Sequence, residues 1–227
     1  MLIGDFGKLP ERMKTPAVRA YYDMLLEQRR ALFFKRLFDI TASLALLLLL
    51  FPAMLVIAIL IKLDSKGPVF YTQRRFTANL REFHIIKFRT MQRNADKAGP
   101  LVTVERDSRV TRVGKWLRPS RLDELPQLLN ILKGDMSFVG TRPEVGKYIS
   151  RYTDEMYATL LLPGGITSTA SVLFRDEARL LRGAGDVDEV YVREILPQKM
   201  IHNLQYLREY SFAEDIKILI RTLIPQR

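Results

Sequence analysis

The residues best placed to do chemistry are two adjacent carboxylates, Asp123 and Glu124, in the stretch WLRPSRLDELPQLLNILKGDMSFVGTRPE, Trp116 to Glu144. They stand among Arg118, Arg121, Lys133 and Arg142. From Glu105 to Arg151 there are ten Lys or Arg against six Asp or Glu, a local net charge of +4. A positive field around paired acids suits a site that holds a divalent metal and a phosphate ester together. Pro126 fits the first turn of a helix and Gly134 a C-terminal cap, so the spacing predicts a short helix that ends at Lys133 with both acids at its N-terminus. Free backbone N–H groups there favour anions, either these carboxylates or a bound diphosphate. The blander reading is that the two acids only cap the helix.

Across 227 residues, 36 Lys or Arg face 25 Asp or Glu, a net charge of +11. That balance points to nucleic acid, an anionic membrane surface or phosphorylated substrates. With no cysteine, disulfides, thiolate metal sites and cysteine nucleophiles are excluded; with only His84 and His202, so is a multi-histidine metal centre.

The elements that must position the acids begin with a basic amphipathic helix from Pro16 to Asp39, where Tyr21, Leu25, Leu32 and Leu37 alternate with Arg19, Arg29, Arg30, Lys35 and Arg36. It reads as lying on a membrane surface, or as an ordinary surface helix. Ile40 to Ile61 carries no charge. At about 1.5 Å per residue it covers roughly 33 Å, enough for a bilayer core. Lys35 and Arg36 precede it; Lys62, Lys66, Arg74 and Arg75 follow. Both clusters prefer the cytoplasmic side, which a break at Pro52 would allow by turning the segment into a re-entrant hairpin. A kinked span that leaves residues 1–39 outside is the competing reading.

Two strand-like runs follow, 69–76 and 82–91, as a hairpin in which Lys87 and Arg89 share one face. Those cations read either as a phosphate site or as a solvated edge. Residues 92–108 read as a loop, 144–162 as a helix ending at Pro163-Gly164-Gly165, and 187–209 as a helix redirected by Pro197. Ser211 with Glu214 forms a capping box for a last helix. The fold class expected is α+β, predominantly helical: a re-entrant membrane hairpin, amphipathic interfacial helices and a small β-hairpin on the cytoplasmic side. The division expected is 1–38 N-terminal segment, 39–63 membrane helix and 64–227 catalytic domain.

Taken in order, KRLFD, the proline-centred apolar segment, GPVFYTQ, KFRTM, LDELPQLLNILKGDMSFVGTRPE and PGGITS resemble the bacterial sugar transferases, the monotopic polyprenyl-phosphate phosphoglycosyl transferases. The resemblance implies an enzyme of the bacterial inner membrane, its catalytic domain facing the cytoplasm. It would move a sugar 1-phosphate from a UDP-sugar to undecaprenyl phosphate and release UMP, as the first membrane step of a glycan pathway. It implies Asp123 as nucleophile, forming a covalent phosphosugar intermediate, and Glu124 as its partner, both near Mg²⁺. Arg118 and Arg142 match positions implicated in phosphate binding, with Lys87 and Arg89 as the next candidates. Three departures stand out: Phe51 where the family often has Ser before the hairpin proline, Thr77-Ala78-Asn79-Leu80 in place of a glycine-rich turn, and VGTRP and PGGITSTAS in place of VGPRP and PGITGxAQ. The last lies where sugar or nucleotide contacts are expected. A catalytically idle membrane scaffold for glycan assembly is the alternative; a nucleic-acid partner is not expected, because the basic residues form no nucleic-acid motif. A homodimer is admitted but not required.

Overall fold

The computed structural model describes residues 3–93, 95, 107–181 and 185–224. The polar loop expected at 92–108 lies largely outside these residues. Helix α1 (Pro16–Glu27) starts at Thr15, whose hydroxyl accepts from Val18 N–H at 3.2 Å, with Pro16 in the first turn, where no N–H is needed. After Gln28 the chain continues as α2 (Arg29–Asp64), one helix that passes through Pro52. The expected boundary at 38/39 is therefore not a fold boundary.

Strands β1 (Phe70–Thr77) and β2 (Arg81–Phe88) pair antiparallel from Phe70↔Phe88 to Thr77↔Arg81. The turn that lacks glycine closes with Asn79 and Leu80 both left-handed, at φ 58° and 54°. Helices α3 (Arg112–Leu117) and α4 (Leu128–Lys133) flank a 3₁₀ turn, Leu122–Gln127. Strand β3 (Met136–Val139) pairs in parallel with β4 (Gly164–Thr167), and between them lie α5 (Gly146–Ile149) and a 3₁₀ turn, Met156–Leu161. The long helix expected over 144–162 is thus two short pieces. Then come α6 (Thr169–Leu173), α7 (Glu177–Leu180) and α8 (Val187–Val190), which runs through a π-helical turn, Tyr191–Ile195, into α9 (Leu196–Arg208). Pro197 sits in the first turn of α9, so it begins that helix and does not break it. Ser211 caps α10 (Phe212–Leu223), its hydroxyl accepting from Glu214 N–H. The result is a predominantly helical α+β fold with two small sheets.

The main core joins α1, the 148–162 segment, α9 and α10. Val18, Tyr21, Tyr22 and Leu25 are buried in it, so the apolar face of α1 is covered by the protein itself and is not turned to a bilayer. That corrects the membrane-surface reading for 16–27, where the 3.6-residue stripe serves either purpose and tertiary packing decided; in the rest of the segment so read, at the start of α2, Phe33, Phe34 and Leu37 are exposed.

Helix α2 is held to the body at both ends. Near its start, Lys35 Nζ donates to Val139 O and to Asp215, both at 2.8 Å; Arg36 donates to the carbonyls of Ile131 and Leu132; Asp39 accepts from Ser137 and from Phe138 N–H. Near its end, Ile57 and Ile61 pack on Phe88 and Leu117, and Asp64 accepts from Val113 N–H at the start of α3. Between these anchors Leu44, Leu48, Leu49, Phe51, Leu55, Val56, Ile59 and Leu60 are all exposed. By length and composition α2 is apolar enough to cross a membrane.

The two glycines of PGGITS answer to the β3–β4 pair. A Cβ on Gly165 would come 2.2 Å from the Gly140 nitrogen, so the second glycine is required by the close approach of backbones. β4 itself does not line the cavity described below; of PGGITSTAS, where donor contacts are expected, Ser171 does.

Lys35, Asp215 and Tyr206 form a buried charged cluster, Tyr206 O–H donating to Asp215 at 2.6 Å. Lys35→Met keeps the volume and strands the Asp215 carboxylate. The expected loss is about 3–5 kcal/mol of unfolding free energy, read by chemical denaturation in detergent.

Candidate active site

The 3₁₀ turn carrying Asp123 and Glu124 is placed by β2. Asn130, in the first turn of α4, presents both halves of its side chain amide to the strand edge: Nδ2 donates to His84 O at 2.8 Å and Oδ1 accepts from Ile86 N–H at 3.0 Å. The amide acts as a short piece of neighbouring strand, and it brings Lys87 over the acids. Gly134, left-handed at φ 89°, ends α4, and Arg36 takes its last free carbonyls. The acids lie in the first turn of the 3₁₀ helix Leu122–Gln127, which runs directly into α4, so they sit at a helical N-terminus as expected. Side chains, not helix N–H groups, hold their charge.

Lys87 Nζ and Arg142 Nη2 donate to the same oxygen, Glu124 Oε1, each at 2.7 Å. Glu124 Oε2 and Arg142 Nη1 are buried with no hydrogen-bond partner among the described residues. Burial alone would raise the Glu124 carboxyl, but Arg142 and Lys87 outweigh it and hold it well below the usual carboxylate range. Burial lowers Lys87, against the pull of Glu124. Asp123, also buried, has its pKa raised by desolvation, with Lys87 opposing and the adjacent Glu124 adding to the rise. Two neighbouring acids are thus pushed apart: Glu124 is a permanent anion in an ion triad, and Asp123 is a carboxylate with no hydrogen bond from the described residues, facing the cavity.

That cavity, of about 1320 Å³, is lined on the dyad side by Lys87, Arg118, Arg121, Asp123, Glu124 and Arg142. Among the expected site residues, Asp123, Glu124, Lys87, Arg118 and Arg142 therefore converge. Arg89 does not. It lies one residue past β2 and donates to the carbonyls of Ser65 (2.7 Å) and Lys66 (3.1 Å), closing the C-terminus of α2. Gly67, at φ 135°, makes room for it, since a Cβ there would come 1.9 Å from Arg89 Nη1. Ideal strand alternation, which put Lys87 and Arg89 on one face, fails once the chain leaves the strand.

The opposite wall was not read from the sequence. Tyr191 O–H donates to Glu144 at 2.5 Å, Arg75 approaches Glu144 at 3.7 Å, and Lys199 Nζ donates to Glu177 at 2.7 Å and to the Tyr191 hydroxyl at 3.2 Å. Tyr191 lies in the π-helical turn, a local widening often found at functional sites. A signal was present: Lys199 and Asn203 interrupt the stripe Leu196, Met200, Leu204, Leu207, and a lysine at a core position of an amphipathic helix needs a buried partner.

A carboxylate nucleophile with a clamped neighbour and an arginine-rich cavity is the equipment for attack on a phosphoryl group. Among the described residues no group of three or more His, Cys, Asp or Glu could hold a metal by itself. A divalent ion would fit through the unpartnered Glu124 Oε2 and Asp123, taking its remaining ligands from substrate phosphates and water.

Comparison with known proteins shows the family. The family model for the bacterial sugar transferases matches residues 30–225. The chain is 38% identical over 196 residues to an undecaprenyl-phosphate glucose phosphotransferase of Komagataeibacter xylinus, covering 83% of this chain and 35% of the relative. It is 38% identical over 195 residues to a UDP-N-acetylgalactosamine-undecaprenyl-phosphate N-acetylgalactosaminephosphotransferase of Aeromonas hydrophila, covering 84% and 43%. Against a UDP-glucose:undecaprenyl-phosphate glucose-1-phosphate transferase of Caulobacter vibrioides the identity is 37% over 192 residues, covering 83% and 68%. The chain thus spans less than half the length of the first two relatives.

Glu124→Gln would leave Lys87 and Arg142 facing each other in a buried site. The expected cost is about 3–5 kcal/mol at neutral pH. Lys87 is already lowered below its unfolded value, so the folded state gains relative to the unfolded one as pH rises toward that value. The deficit of the variant should accordingly shrink above about pH 10, where the lysine is neutral in both states. Thermal midpoints of the two proteins measured across pH check this.

Proposed function

The chain belongs to the bacterial sugar transferase family, and from that premise we propose that it moves a sugar 1-phosphate from a UDP-sugar to undecaprenyl phosphate, with Asp123 as the nucleophile. The observation that carries this reading is the divergence within the dyad: Glu124 is fixed by Lys87 and Arg142, while Asp123 is left unbonded at the cavity wall.

The Asp123 carboxylate attacks the sugar-bearing phosphorus. A P–O bond forms to Asp123, the bond to the second phosphate breaks, and UMP departs with that electron pair. A phosphate oxygen of the acceptor lipid then attacks the same phosphorus and releases the Asp123 carboxylate, giving undecaprenyl-diphosphate-sugar. Splitting the transfer in two lets one cavity serve two substrates in turn. Arg118 and Arg142 supply planar forks for phosphoryl oxygens, and Lys87 keeps Glu124 oriented. Mg²⁺, held by Asp123, Glu124 and substrate phosphates, would neutralise charge that develops on the leaving phosphate.

The membrane arrangement proposed is a re-entrant α2, bent at Pro52, with the catalytic body on the cytoplasmic face of the bacterial inner membrane. In its favour, both ends of α2 are bonded to the same body and the exposed apolar residues lie between them. Basic residues flank both ends. A site kept at that depth meets the lipid phosphate at the interface without extracting the lipid.

Two experiments test these readings. With the protein in nanodiscs, a panel of UDP-sugars, Mg²⁺ and undecaprenyl phosphate, one donor should release UMP, and Asp123→Asn should fall to background with the thermal midpoint retained. Only ionised Asp123 attacks, and its pKa is raised, so the rate should fall on acidification at a higher pH than an ordinary aspartate would dictate. An Asp123→Asn variant with full glycan output would favour the idle scaffold instead. For topology, the absence of native cysteine makes single-cysteine labelling clean. Lys8→Cys and Lys66→Cys, both exposed, should react with an impermeant maleimide from the cytoplasmic face only; labelling from opposite faces would mean that α2 spans.

A further inference from the structure

Arg121 occupies a backbone conformation that disfavours it. Its φ and ψ are 54° and 17°, in the left-handed region where glycine or asparagine is at ease, and it is two residues before Asp123. The strain has a local use. Arg121 N–H donates to Arg118 O and Arg121 O accepts from Glu124 N–H, both at 3.1 Å, so the left-handed residue is the hinge that turns the chain from α3 into the dyad. A glycine would do that as well, and at lower cost. The arginine side chain therefore calls for its own account.

That side chain lines the cavity and is partly buried, and it makes no hydrogen bond or ion pair among the described residues. Most other cavity cations are engaged: Lys87 and Arg142 with Glu124, Arg75 with Gln73 and Pro143 O, Lys199 with Glu177, Arg175 with Thr222 O. Among the described residues Lys115 likewise has no side-chain partner, and it is exposed. Burial lowers the Arg121 pKa, Glu124 opposes, and Arg142 and Arg175 lower it further. Arg121, Arg142 and Arg175 thus repel one another in the cavity they line, and Glu124 and Asp123 offset that repulsion at Arg121 without bonding to its side chain.

We propose that Arg121, with Arg175, binds a phosphate monoester at a second anion position, beyond the phosphate that Asp123 attacks. This rests on the transferase reading above. Two substrates carry such a group, the departing UMP and the arriving undecaprenyl phosphate. In-line displacement sets the leaving phosphate on the side of the phosphorus away from Asp123, which makes UMP the expected occupant.

The test compares wild type, Arg121→Gly and Arg121→Lys, all in nanodiscs. Binding of UMP, of uridine as the phosphate-free control, and of undecaprenyl phosphate is measured without donor. Arg121→Gly relieves the left-handed strain, so its thermal midpoint should equal or exceed that of wild type. Its UMP affinity should fall about tenfold or more, the loss of a charge-assisted hydrogen bond, and Arg121→Lys should recover part of it. Weakened UMP binding supports the nucleotide as occupant, weakened lipid binding supports the acceptor, and loss of both supports one position used in turn. If Arg121→Gly binds both ligands as wild type does, the proposal is overturned and Arg121 is only a hinge. If wild type itself binds neither ligand, the transferase reading fails first, and the proposal falls with it.

Discussion

Everything in the catalytic body turns on one buried oxygen. Glu124 Oε1 receives Lys87 from β2 and Arg142 from the segment after β3, so three separate parts of the chain meet at a single carboxylate. Buried as they are, each of these charges would be costly alone; together they are mutually compensated. The arrangement also explains the contrast within the dyad. Because Glu124 absorbs the nearest cations, Asp123 is left with burial, a negative neighbour and no hydrogen bond from the described residues, the condition of a carboxylate free to form a new bond.

The long helix is built into that same framework. Arg36 closes α4, Asp39 and Lys35 bond the β3 region, and Arg89 closes the far end of α2. Each anchor is a side chain satisfying a helix terminus or a strand edge, groups that would otherwise lose hydrogen bonds on burial. The position of the long apolar helix and the geometry of the candidate site are therefore coupled through covalently short paths. The residues that hold α2 are two or three positions away from those that shape the site: Arg89 follows Lys87 by two, and Val139 precedes Arg142 by three.

The cavity has two walls of different character. On the dyad side the charges converge within the Arg118 to Arg142 stretch. On the other side, Glu144, Tyr191, Lys199 and Glu177 form a hydrogen-bonded row supported by α9 and its π-helical turn. Helix α1 packs on α9 from behind, so the segment ahead of the family match at residue 30 is part of the support for this wall.

Much of the site was legible in the sequence because its residues are close in the chain. Asp123, Glu124, Arg118 and Arg142 lie within 25 positions, the helix end at Gly134 and the cap at Ser211 follow from local chemistry, and the charge-free run through Ile61 announces an apolar helix without any fold. Local stereochemistry acts over a few residues, and these features need nothing more. Other outcomes depended on what each face meets. The stripe of α1 was compatible with lipid or protein until the core took it. Arg89 was compatible with the cavity until the strand ended one residue earlier and the helix terminus of α2 claimed it. Glu144 meets Tyr191 and Lys199 from 47 or more positions away, and no local rule brings them together. The sequence by itself determined which residues could carry charge, bend or cross an apolar layer; only the tertiary structure decided which of them face one another, because pairing of buried charges is a property of the packed chain and not of its order.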